Sequence, residues 1–334
     1  MIDQVVAGKY SRVQFIGQGT FGRVFLAQNL QNGEHVALKV DTSANRALLQ
    51  NENNILSLLK GLKGIPKLVD FGDEEEYSFM AIQLLGQSIE DRFIESQKKF
   101  LIEDFFEYMR QVLSIIENIH SRNIIHRDIK PRQILFGPLS KQDSLYLVDF
   151  GISMKYKDEE HIEYKEECGF AGTSNYCSLN THKGIQQSRR DDLESYCYVI
   201  AYFYTGTLPW FKNAMNTQQI AEIKQKVTGK ELFGAGTKDL IDVFKYIKQL
   251  KFEDDIDYNY IRDKFKRLEN RFAGESRISQ QYSLMPLSKP KKVKKKFTFI
   301  EDTEDVILNL DSTIVTKGPE INREILKGKF LHKN

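Results

Sequence analysis

Two loops constrain this chain more than any other feature: HRDIKP at 126–131 and DFG at 149–151. Asp128 and Asp149 sit in them, and between the loops lie two short strand-like runs, QILF and LYLVDF. A loop aspartate close to a hydroxyl can orient it and accept its proton. A second carboxylate one short connection away can ligate magnesium that bridges the phosphates of a nucleotide. Any single loop aspartate is more often a turn or cap residue. Two of them in this order, behind the elements described next, are not a chance assembly.

Upstream lies GQGTFGRV, in which Gly17, Gly19 and Gly22 fall between two β-rich runs. Glycines there let backbone N–H groups approach phosphate oxygens with no Cβ in the way. Alone, the cluster fits a plain glycine-rich hairpin equally well. A dinucleotide fingerprint does not fit, because its glycines open a helix rather than join two strands. Lys39 then follows the apolar run VAL, and Glu52 comes thirteen residues later on a helical stretch. A lysine presented from a strand can neutralise phosphate oxygens while a glutamate holds its long stem. The competing reading is a surface ion pair worth about 0–1 kcal/mol.

The order of elements predicts a small β-rich unit followed by a helical one. YSRVQFI and RVFLAQNL flank the glycines, and Asn32-Gly33 marks a hairpin before HVALKV. Leu48, Glu52, Ile55 and Leu59 recur at helical spacing, closed by Gly61. PKLVDFG and YSFMAIQLL read as two more strands, so the small unit ends near residue 86. Beyond it, Phe105, Met109, Val112, Ile116 and Ile119 form one long apolar stripe. DDLESYCYVIAYFYTG is apolar on most faces and predicts a buried helix. Helical patterns also occupy roughly 216–228 and 237–251, and YNYIRDKFKRLENRF adds a last one. No internal repeat is visible.

Composition narrows the function classes. Forty-eight basic and 46 acidic residues nearly cancel, so no overall field marks a nucleic-acid binder. The three cysteines form no CxxC pair, which fits a reducing compartment rather than a disulfide framework or metal site. The sequence MIDQVVAGKY has no signal-peptide run, and no apolar stretch is long enough to span a bilayer. These features predict a cytoplasmic protein with no membrane segment. From about residue 274 the composition shifts to a tail, where KPKKVKKK at 289–296 fits either a solvated linker or a nuclear import signal. His120 and His161 lack metal-spaced partners and are expected at the surface; Trp210 is expected to be packing.

Taken together, these motifs resemble the eukaryotic protein kinases over roughly residues 8–272. Within them the chain is similar to the casein kinase I group of serine/threonine kinases, through IPKLVDFG, QLLGQSIED and NTHKGIQQSRRDDLESYCYVIAYFYTGTLPW. SLN at 178–180 stands where most kinases have Ala-Pro-Glu, and DYNYIRDKFKRL is like that group's final segment. The resemblance implies a bilobal α+β fold, with a catalytic domain over 8–274 divided into lobes at 8–86 and 87–274, and a tail over 275–334. It implies ATP with Mg2+, Mn2+ being the alternative ion, and protein substrates, acidic ones in this group. In the ATP site it places Ile16, Gly17, Gly19, Gly22, Val24, Ala37, Lys39, Glu52, Ile82 behind the adenine and Leu85 at the hinge. Asp128 would be the base, Lys130 the partner of the transferring phosphate, and Asp149 a metal ligand. Asp192 would anchor the catalytic loop's backbone from the buried helix.

Two positions depart from the pattern. The family's metal-binding asparagine falls on Gln133, whose amide oxygen reaches one bond further. A scaffold without phosphotransfer is therefore the alternative reading. The group's phosphate-reading arginine falls on Asn175 in GTSNY, which removes a bidentate guanidinium. Lys155, Arg189 and the lysines near Lys224 are the remaining candidates for an acidic-substrate patch.

Overall fold

Six strands near the N-terminus pair into one antiparallel sheet: β1 (Val5–Val6), β2 (Tyr10–Gly19), β3 (Gly22–Asn29), β4 (His35–Asp41), β5 (Leu68–Asp73) and β6 (Ser78–Gln83), in the order β1-β2-β3-β4-β6-β5. The computed structural model describes residues 5–19, 22–42, 46–211, 215–234 and 236–279. The expected turn between β3 and β4 is made, with Gly33 at φ +75°. Val36, Leu38 and Val40 of β4 point to one face, where they pack with Tyr10, Phe25, Ala27 and Phe79. The alternate residues Ala37 and Lys39 face the other way. Helix α1 (Arg46–Leu58) lies against the sheet, with Leu49, Ile55 and Leu56 in one cluster with Met80. Gly61, at φ +84°, follows it as the sequence predicts.

The segment after β6 crosses to the larger lobe and is tied to it. Gly86 donates to the Phe136 carbonyl at 2.8 Å, and the Phe136 N–H donates to Gln87 at 3.0 Å. Helix α2 (Ile89–Glu95) begins here on a capping box, Ser88 with Asp91. Its seven residues are too few to display a period, so the sequence reading passed over it.

The larger lobe is built on α3 (Ile102–His120), whose predicted stripe is buried throughout. Two short antiparallel strand pairs follow: β7 (Ile124–Ile125) pairs with β10 (Met154–Lys155), and β8 (Ile134–Phe136) pairs with β9 (Leu145–Leu147). LYLVDF was expected to continue as strand, but β9 stops at Leu147 because Asp149 takes a left-handed backbone, φ +67°. Then come α4 (Leu179–His182) and α5 (Arg189–Thr205), the latter buried without interruption from Asp191 to Phe203.

The helix expected at 216–228 forms, and a short further helix not expected from the sequence follows it. Helix α6 (Thr217–Lys226) ends at an extended Val227, and α7 (Gly229–Phe233) starts afresh because Thr228 and Glu231 form a capping box. Helices α8 (Lys238–Gln249) and α9 (Tyr258–Ser279) close the lobe. The architecture is thus a β-rich lobe with one packed helix, joined to a mostly helical lobe. Among the described residues, no helix is long and apolar enough to cross a membrane. The lysine run at 289–296 lies outside the described residues.

Candidate active site

Cross-strand pairing gathers one set of predicted residues on the sheet face opposite the small lobe's core. Gly17 pairs with Val24, Val24 with Lys39, and Ala37 with Ile82, and directly paired residues share a face. Ile16 is buried next to Gly17, and Leu85 is buried where the chain leaves the sheet. Gly22 requires its lack of a side chain: at φ +126°, a Cβ there would meet the Val40 carbonyl oxygen at 2.7 Å.

Lys39 reaches from this face to two acids. Its Nζ lies 2.7 Å from Glu52 Oε2 and 3.0 Å from Asp149 Oδ1. Glu52, on α1, also accepts the Phe150 N–H at 3.1 Å, so one carboxylate holds both the lysine and the DFG backbone. Burial alone pulls the Lys39 ammonium down, but Asp149 and Glu52 outweigh it and hold its pKa above the ordinary value. Burial would likewise raise Asp149, and Lys39 overcomes that to keep it below the usual carboxylate range. Glu52 lies further from water, and there burial wins and pushes its carboxyl up. The surface-pair reading of Lys39 is excluded, since its side chain is only 9% exposed.

The two aspartate loops meet because β8 and β9 form a hairpin between them. Ile134 pairs with Leu147, and the Val148 N–H donates to the Gln133 carbonyl at 3.0 Å. Residue 133 therefore faces the DFG loop across the hairpin's open end. The side chain of Gln133 is buried, and its Nε2 donates to Asp128 Oδ2 at 2.8 Å and to Asp149 Oδ2 at 3.2 Å. Its Oε1 is buried and has no hydrogen-bond partner among the described residues.

Asp128 is held from several other sides. Thr173 Oγ1 donates to Asp128 Oδ1 at 2.7 Å, and Lys130 Nζ lies 3.3 Å from Oδ2 while donating to Thr173 Oγ1 at 2.9 Å. The Asp128 N–H donates to His126 Nδ1, so the ring's proton is on Nε2, which donates to the Val148 carbonyl. Thr173 was missed in the sequence: GTSNY drew attention to Asn175, and no local pattern marks a threonine whose partner is 45 residues away. Gly172 was missed too. A Cβ on it would lie 2.8 Å from the Arg127 carbonyl oxygen, so the segment can approach the loop only as glycine.

Asp192 supports the loop from α5. Its carboxylate accepts the His126 N–H at 2.7 Å and the Arg127 N–H at 2.8 Å, holding Arg127 at φ +74°. His120 Nε2 adds a third bond at 2.9 Å, and its Nδ1 meets the Tyr258 hydroxyl. His120 is thus buried, contrary to the surface position expected of it. The expectation failed because α3 turns its last residue inward, onto an acid 72 positions away. Burial pushes Asp192 up, but the His120 ring, with His126 and its backbone N–H, prevails and holds it below the usual carboxylate range. Trp210 is packing, as expected, with its Nε1 donating to the Asn175 carbonyl.

The candidate cations for an acidic-substrate patch fare differently, and Lys226 and Lys230 near Lys224 stay exposed. Lys224 is buried; its ammonium donates to the Ser174 and Cys177 carbonyls, both at 2.7 Å, and lies over the rings of Tyr198 and Trp210. Arg189 is paired with Asp255 and Lys155 with Asp158. All three cations answer groups of the chain itself.

Three carboxylates, Glu52, Asp128 and Asp149, face two ammonium groups, Lys39 and Lys130, leaving negative charge in excess. That balance, with two acids bridged by a neutral amide, fits a divalent cation. Among the described residues no group of three His, Cys, Asp or Glu side chains could hold one alone. Magnesium ordinarily takes one or two carboxylates and completes its shell with water and substrate phosphates. Compared with known families, the chain matches the model described as protein kinase domain over residues 10–268.

Proposed function

Because the chain belongs to the protein kinase domain family, we propose that it is a working serine/threonine kinase of casein kinase I type, moving the ATP γ-phosphate to protein hydroxyls. What carries the reading is Lys39, 2.7 Å from Glu52 and 3.0 Å from Asp149, in one cleft with Asp128. The proposed catalytic domain spans 8–274, lobes 8–86 and 87–274, with 275–334 as a tail. We place the protein in the cytoplasm, with the lysine run as a candidate for nuclear import.

In this reading Gly17, Gly19 and Gly22 cover the triphosphate, and Ile16, Val24, Ala37, Ile82 and Leu85 enclose the adenine. Lys39 neutralises phosphate charge, and Glu52 keeps its ammonium aimed. A substrate hydroxyl reaches Asp128, whose carboxylate takes the proton as the new O–P bond forms and the bond from the γ-phosphorus to the departing ADP breaks. Lys130 offsets charge on the transferring group, and Thr173 fixes the rotamers of both Asp128 and Lys130. Asp149, with the Gln133 amide beside it, would hold the divalent ion, Mg2+ or Mn2+, which supplies charge neutralisation at the β- and γ-phosphates. The test is labelled phosphate transfer to casein, with nucleotide binding measured in parallel. Nucleotide binding without any transfer would favour the scaffold reading, for which Gln133 is the supporting observation.

Gln133 is expected to slow this enzyme. Magnesium holds oxygens at about 2.0–2.1 Å in a near-octahedral shell, and the longer side chain misplaces one. A loss of about 1.4–2.8 kcal/mol in the transition state corresponds to a roughly ten- to hundredfold slower rate. Gln133→Asn should recover that factor in turnover measured with magnesium, and manganese should partly rescue the natural chain. Equal turnover of the two forms in magnesium would refute this account.

Substrate choice should also be broad. With Asn175 in place of the group's arginine and Lys224 turned inward, two candidate readers of a phosphoserine upstream of the target are lost. On a peptide array, primed and unprimed versions of one sequence are expected to be labelled within about fivefold of each other, since a surface charge contact contributes about 0–1 kcal/mol. A strong requirement for the upstream phosphate would show that another cation reads it.

A further inference from the structure

The Gln133 side chain makes two bonds and leaves one atom idle. Its Nε2 spans Asp128 and Asp149, while its buried Oε1 finds no partner among the described residues. The amide cannot be reversed in this setting, because that would turn its oxygen onto two carboxylates. An asparagine, one bond shorter, could not span both acids from the same backbone position. The additional methylene thus has a use of its own.

We propose that Gln133 is a strap that stands in for a cation between Asp128 and Asp149, and that a divalent ion must displace it to enter. This rests on the kinase reading above for the identity of the site, but concerns a step before any phosphate moves. Two N–H groups directed at ionised oxygens make charge-assisted bonds, which are stronger than those between neutral groups. They hold the two acids together while no ion is bound. An entering ion gains at most one amide oxygen, and only after both bonds break and the amide turns over. Displacement of the strap therefore outweighs ligation by Gln133, and the chain binds divalent ions more weakly than its carboxylates alone would allow.

The test uses the full chain, natural and Gln133→Met, a substitution that nearly conserves volume and has no N–H. Thermal unfolding is followed in EDTA, and Mn2+ binding is followed by its electron paramagnetic resonance signal, with and without ADP. Without the strap, the variant should melt lower than the natural chain in EDTA and yet bind Mn2+ roughly tenfold more tightly or better, the factor for one or two such bonds. Gln133→Asn, which keeps an amide but cannot bridge, should move both readouts in the same directions and serves if the methionine variant does not fold. Equal melting in EDTA, Mn2+ affinity unchanged or lowered, or no Mn2+ binding by any form would each overturn the strap. Neither readout involves transfer. A chain that behaves as described but labels no casein would sink the enzymatic reading and leave the strap in place.

Discussion

Asp128→Asn is expected to lower phosphate transfer to casein by about 10²- to 10⁴-fold, the range for loss of a positioned general base. The substitution keeps the size of the side chain and an oxygen able to accept the Thr173 hydroxyl, which is 2.7 Å from Oδ1 in the natural chain. What disappears is the negative charge opposite Lys130, 3.3 Å away, and the capacity to take a proton at neutral pH. Nucleotide binding should therefore survive, because Lys39 and Asp149 reach each other without Asp128. The measurement is initial rate with labelled ATP, with nucleotide affinity determined on the same samples. Transfer within tenfold of the natural chain would remove Asp128 from the role of base.

Lys39→Met should have the largest effect on stability, about 3–5 kcal/mol in urea unfolding at neutral pH, and should abolish transfer as well. That range is typical when one partner of a buried ion pair is removed and its counter-charge stays buried. Here the ammonium serves two carboxylates, Glu52 and Asp149, and Glu52 is 2% exposed. The pH dependence distinguishes this cause from simple packing loss. Asp149 has a folded-state pKa below its unfolded value, so its pairing stabilises the natural chain above the ordinary carboxylate range and is lost as pH falls through the folded value. Without Lys39, Glu52, whose pKa burial raises, can take up a proton and relieve the unpaired charge as the solution is acidified. The gap between natural and variant chains should thus narrow from pH 7.5 towards pH 5. A gap that stays constant over this interval would mean that Lys39 acts there only as bulk.

Much of the candidate site was legible because its motifs are local in sequence. Gly17, Gly19 and Gly22 announce a close backbone approach, and HRD and DFG carry their acids in recognisable company. The alternation of Val36, Leu38 and Val40 against Ala37 and Lys39 tells which side of β4 the lysine takes. Helix α3 was legible for the same reason: its nineteen residues show the period several times. Helices α2 and α7 were not, since each is under two turns and its start is marked only by a capping box.

Residue types, their order and their periodicity thus determined the two lobes, the glycine turn and the identity of the acids and lysines in the cleft. Tertiary structure alone decided how those groups are used. Whether His120 faces water or Asp192, whether Lys224 reads a substrate or secures the Ser174–Cys177 backbone, and which end of the Gln133 amide meets the acids are all long-range matters. Each depends on a partner delivered by a separate element of the fold. A polar side chain leaving water takes the hydrogen bonds that packing brings within reach, and those partners have no sequence spacing to reveal them.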